Sequence, residues 1–159
     1  MPVPTQALFD AFSNAPAQFA SILQELTETQ IQYVPATGEW SIHMIIVHLA
    51  DSEAVGYWRL RKTIAEPGST LDVYDEAAWA ERLSYQTQNR ESALAIFAAL
   101  RASNAALLRS LPDEMWALSS THPERGALSL YDLFQIYLEH GQIHLQQIEQ
   151  IKRLLYLQQ

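Results

Sequence analysis

Two histidines four residues apart, His140 and His144, have the spacing in this sequence best suited to chemistry. Positions i and i+4 of an α-helix lie one above the other on one face. Both imidazoles can therefore turn a ring nitrogen toward one cation, the geometry also used in zinc-protease helices. Two ligands alone bind weakly. The third candidate is His48, far away in sequence, beside the apolar stripe of Ile42, Ile45, Ile46 and Leu49 on the flank shared with Ser52. A lone histidine on an apolar flank is more often a hydrogen-bonded core residue than a ligand, and the pair could bond to backbone carbonyls or water instead. On the residues alone those alternatives stay open. If the three meet, neutral imidazoles on a divalent ion leave positions for water or substrate. The uncompensated charge would lower the pKa of a bound water or thiol, which opens hydrolysis or transfer of a thiolate onto an electrophile.

The other titratable groups near these positions have blander readings. His43 lies about 140° around the helix from His48 and should not join the same site. His122, just before Pro123, is expected to serve a structural turn. Asp51 and Glu53 read as surface helix residues, with Asp51 a candidate to orient a ligand from behind. Trp40, Trp58, Trp79 and Trp116 read as core or interface anchors.

Composition limits what else the chain can do. The 159 residues, 48% of them hydrophobic, fit one domain over 1–159 with a proper core. There is no cysteine, so thiolate metal sites, disulfides and cysteine nucleophiles are excluded and any metal must use His, carboxylate or water. Eighteen acidic against ten basic residues give a formal charge of -8, which disfavours a nucleic-acid partner. Arg59, Arg61 and Lys62 read as a solvated helix end complementing the helix dipole. No apolar run of 18 residues and no signal-like start is visible, so the expectation is a cytoplasmic protein without a membrane partner.

Positioning the histidines falls to long helices. Gly and Pro are few, five and seven, and fall mostly between stretches of helix formers. The spacing predicts a first long helix over 5–28, with Leu8, Phe12, Phe19, Ile22, Leu23 and Leu26 inward and bent or divided at Pro16. A second runs from the N-cap Ser41 to about Ala65. A short helix over 75–83 follows the connection 67–73. The third long helix covers 89–111, with Ala93, Phe97, Leu100, Leu107 and Leu108 inward. Residues 112–128 read as a loop with at most one helical turn. The last helix opens at Ser129 with Asp132 completing a capping box and reaches about Tyr156. On its wheel Gln135, Glu139, Gln142, Gln146, Gln150 and Arg153 form the wet face. His140 and His144 fall within the opposite stripe of Leu133, Ile136, Tyr137, Ile143, Ile151, Leu154 and Leu155. Four such helices describe an all-α four-helix bundle with a short additional helix.

Trp40-Ser41-Ile42 and Val47-His48-Leu49-Ala50-Asp51-Ser52-Glu53 resemble the second-helix signature of the DinB-like (DinB/YfiT) superfamily. Tyr74-Asp75-Glu76-Ala77-Ala78-Trp79, His122-Pro123-Glu124-Arg125-Gly126 and Tyr137-Leu138-Glu139-His140-Gly141-Gln142-Ile143-His144-Leu145 resemble its later landmarks, in the same order. The resemblance implies a bundle in which one histidine of the second helix and the last helix's pair bind Zn or Ni, which carries over to a triad of His48, His140 and His144. It also implies a homodimer. Its relatives include S-transferases using low-molecular-weight thiols, so a thiol cosubstrate becomes an expectation. Glu139 and Ile143 stand where YfiT-like members often carry other residues, and the three ligand positions are intact. The expected function is a metal-dependent S-transferase or hydrolase acting on a small molecule. The alternative is a non-enzymatic metal-binding or stress-response bundle that holds a ligand or partner.

Overall fold

In the computed structural model, which describes residues 2–157, four long helices form the bundle: α1 (Gln6–Gln24), α3 (Ile42–Ala65), α5 (Arg90–Arg109) and α6 (Leu130–Tyr156). Two short helices, α2 (Glu28–Ile31) and α4 (Glu76–Arg82), sit in the connections. α3 packs on α5 and α6, and α1 packs on the same two, so α1 and α3 occupy opposite corners. Helix starts coincide with the side chains suited to cap them. Ser41 Oγ accepts from the Met44 amide at 3.2 Å, and Asn89 Oδ1 accepts from Ser92 at 2.7 Å. At the head of α6, Ser129 Oγ accepts from the Asp132 amide at 3.1 Å while Asp132 Oδ2 accepts from the Ser129 amide at 2.8 Å.

Pro16 does not divide α1. A proline leaves the carbonyl four residues earlier without its helical donor, and that carbonyl, of Phe12, accepts from Arg101 Nη1 at 3.4 Å. The helix ends earlier than 28 because Thr27 caps the separate turn α2. Phe9, absent from the expected stripe, is buried with Phe12 and Phe19, and its ring meets Trp116 edge-on at 5.9 Å.

The polar face of α5 differs from the expected pattern. Arg101 and Asn104 lie inward among Phe97, Ala105 and Leu108, because both bond to Glu53 of α3, itself 2% exposed rather than on the surface. Among the described residues α5 is the one helix long and apolar enough, by length and composition, to cross a membrane. Here it packs against α1 and α3.

Residues 112–128 are not a plain loop. A 3-10 helix (Asp113–Ala117) leads into an antiparallel hairpin of β1 (Ser119–His122) and β2 (Gly126–Ser129), which turns through Gly126 at φ 76°. The strands are too short and polar to register as periodic. Their partners are distant: Gly68 and Leu71 donate to the Ser119 and Thr121 carbonyls at 2.7 and 2.9 Å, and Thr63 Oγ1 donates to Ser120 Oγ at 2.9 Å. The connection 67–73 is thereby laid along β1, with Leu71 buried.

Candidate metal centre

His48 is fully buried in the middle of α3, and His140 and His144 face it from α6. Nε2 of His140 lies 3.1 Å from Nε2 of His48 and 3.1 Å from Nε2 of His144. All three ligand atoms fall within 4.8 Å of one another. Nitrogens about 2.0 Å from a tetrahedral ion would stand about 3.3 Å apart, so the spacing suits one shared cation. His144 Nδ1 donates to Gln147 Oε1 at 2.8 Å, which in a neutral ring leaves Nε2 as a bare lone pair pointing into the cluster. One ring hydrogen on His140 can satisfy a single neighbour. A cation satisfies all three nitrogens at once.

Electrostatics hold the rings in the ligating form. Burial, reinforced by His144, pushes His48 down to about 3. Burial, then His144, His48 and Arg101, pushes His140 to about 2, and burial lowers His144 as well. Trp40 covers His48 with ring centroids 4.8 Å apart, which excludes water from that side. His48 Nδ1 has no hydrogen-bond partner among the described residues.

The other side is open. A cavity of about 140 Å³ reaches His140, with Ser52, Tyr74, Glu76 and Tyr137 among its walls. Glu76, at the start of α4, brings Oε2 to 4.0 Å from His48 Nε2. Burial raises the phenols of Tyr74 and Tyr137 above their ordinary range.

The helix-wheel placement of the three histidines agrees with their positions here, whereas several neighbours differ. Ile143, expected inward, is 59% exposed, and Leu154 is also exposed, because α6 turns its histidine edge rather than its whole apolar arc toward α3. His43 stands apart, hydrogen-bonded to the Tyr85 carbonyl at 3.1 Å and to Gln32 and Arg90. His122 belongs to β1, is 5% exposed and lines the cavity. Asp51 does not back a histidine; it accepts from Tyr85 Oη at 2.6 Å. Trp58 is exposed, while Trp116 is a core anchor. Arg59 is no simple solvated helix end: it faces the cavity and donates to Tyr137 Oη at 3.3 Å. Its signal was present, since eleven residues beyond His48 is about 20° around the helix, the same face. Gln147, three residues beyond His144, carried a signal of the same kind, whereas Glu76 had none.

The family model of the DinB superfamily matches residues 11–148. YfiT of Bacillus subtilis, described as a probable metal-dependent hydrolase, is 27% identical over 141 residues, covering 88% of this chain and 79% of its own. The Oceanobacillus iheyensis protein OB0782, named as a hydrolase of the same kind, is 32% identical over 135 residues, 85% of this chain and 78% of that one. The solved YfiT structure superposes with a TM-score of 0.89 at 24% identity, over 98% of this chain and 91% of YfiT, and is described as a four-helix bundle of unusual topology. A mycothiol-dependent maleylpyruvate isomerase shares the fold at TM-score 0.68 and 13% identity, over 91% of this chain and 62% of the isomerase. With the bundle, its histidine cluster and a family match over most of its length, the chain belongs to the DinB superfamily.

Proposed function

We propose that this chain is a metal-dependent enzyme acting on a small molecule, of the thiol S-transferase or hydrolase type, with one divalent ion, Zn or Ni, held by His48, His140 and His144. The observation that carries the reading is the convergence of three uncharged ring nitrogens at one buried point with a cavity leading to it. The descriptions of its YfiT-type relatives support the same reading. A divalent ion with three neutral ligands supplies a lowered pKa to a water or thiol at its open position. The chain's own residues supply the rest. Glu76 Oε2, 4.0 Å from His48 Nε2, is placed to take up a proton beside the cluster. Tyr137, whose hydroxyl oxygen accepts from Arg59, can offer its hydrogen to a substrate oxygen, and Trp40 keeps water from the His48 side. The open cavity favours this reading over a bundle that only stores a metal, in which a fourth protein ligand would close the site.

Elemental analysis of freshly purified protein should find about one divalent ion per chain, and His140→Ala or His144→Ala should reduce it to near zero. Full occupancy in both variants would end the proposal. A screen of low-molecular-weight thiols against model electrophiles then separates S-transfer from hydrolysis. For the assembly we propose a homodimer, for which light scattering should give twice the 18.0 kDa of the chain.

A further inference from the structure

We propose that the cavity beside the histidine cluster is an anion subsite in which Arg59 and Arg125, with His122, receive a carboxylate of the small molecule whose reactive end reaches His140. The inference rests on the metal-dependent reading above and names the substrate class of the same site. Both guanidiniums line the cavity that His140 also lines. Arg59 donates to Tyr137 Oη at 3.3 Å and to the Asp72 carbonyl, and its buried Nε has no partner among the described residues. It therefore has neutral acceptors and no carboxylate. Arg125 forms no hydrogen bond or ion pair through its guanidinium among the described residues. Three other arginines of this acidic chain find carboxylates, Arg90 with Glu28, Arg101 with Glu53 and Arg109 with Asp10, whereas Arg61 bonds instead to Asn104 and Ser103. Glu76 and Glu124 also line the cavity, yet neither pairs with Arg59 or Arg125.

His122 and Tyr137 add to the two arginines, against the opposing charge of Glu76 and Glu124. His122 Nδ1 accepts the Glu124 amide at 3.3 Å, so a neutral ring carries its hydrogen on Nε2 and adds a donor. Burial and the two nearby arginines, Arg59 and Arg125, keep that ring below its ordinary range. Tyr137 precedes His140 by one helical turn on the same face, so a group held by Arg59 and Tyr137 lies next to the metal cluster. A guanidinium's planar fork matches the two oxygens of a carboxylate. The net charge of -8 would repel an anion at long range, so any preference for a charged ligand must come from this local pair.

The test uses the full chain loaded with cobalt(II), titrated with mercaptosuccinate and with the uncharged thioglycerol, and read by thiolate-to-cobalt absorption and calorimetry. Mercaptosuccinate should bind about tenfold tighter or more. Arg125→Gln and Arg59→Gln should each erase most of that preference, read as the ratio of the two thiols' affinities within each variant. Equal affinity for the two thiols, or a preference that survives both substitutions, overturns the subsite and leaves the metal centre standing. Absence of a protein-bound cobalt spectrum before any thiol is added overturns the metal reading and the subsite with it, so that spectrum tells the two failures apart.

Discussion

His144 enters the cluster with its hydrogen already committed to Gln147, which is why its other nitrogen is available to a cation. Residues that fix a ligand's tautomer typically matter to affinity by about 10- to 100-fold. Gln147→Leu should therefore weaken metal binding by about that factor in a chelator competition, while Gln147→Glu keeps an acceptor and most of the affinity. Unchanged affinity in the leucine variant would mean that the ring is oriented by packing alone. His122 carries a lesson at the same scale. Its place before Pro123 suggested a turn residue, and a local reading could not see that the strand holding it pairs with residues 68–71 and faces the cavity.

Two contacts between helices set the geometry in which the histidines meet. Gly56 lies on the face of α3 that also carries Ser52 and Arg59, directly against the Tyr137 ring; a Cβ there would stand 2.5 to 2.7 Å from three ring carbons. Glycine is required because α3 and α6 approach too closely for any side chain. Gly56→Ala should cost about 1 to 3 kcal/mol in urea unfolding and weaken metal uptake by pushing the helices apart. A variant of native stability and affinity would show that the ring moves freely. The second contact is the buried pair of Arg101 Nη2 and Glu53 Oε2 at 2.6 Å, with Arg101 also donating to the Tyr137 carbonyl of α6 at 3.2 Å. Arg101→Met leaves Glu53 buried and unpaired, at a cost of about 3 to 5 kcal/mol, whereas adding Glu53→Leu should restore a large part. If the double variant is no more stable than the single one, the pair is not what the loss reports. The sequence pattern showed α5 as an amphipathic helix but could not show that its buried face includes Arg101 and Asn104, because polarity alone reads as exposure until the partner is known.

Across the whole molecule, all five histidines, His43, His48, His122, His140 and His144, sit below their ordinary pKa, with burial the first cause each time. Each binds its proton more readily in the unfolded chain. The stability this contributes is fully present above about pH 6.5 and is lost as pH falls from there toward the depressed folded values, about 3 for His48 and about 2 for His140. Metal-free protein should therefore melt at progressively lower temperature from pH 7 to pH 5, and His43→Gln should flatten part of that slope. A melting temperature that is constant or rises on acidification would contradict it. The sequence by itself determined the four long helices, the caps at Ser41 and Ser129, and the shared face of His140 and His144, because each depends on interactions a few residues apart. Only the tertiary structure decided that His48 meets that pair across a separation of 92 residues from His140, that Glu53 and Arg101 are buried together, and that Arg59, Arg125 and His122 share one cavity. Those meetings depend on how closely and at what rotation the helices pack, and no local pattern specifies either.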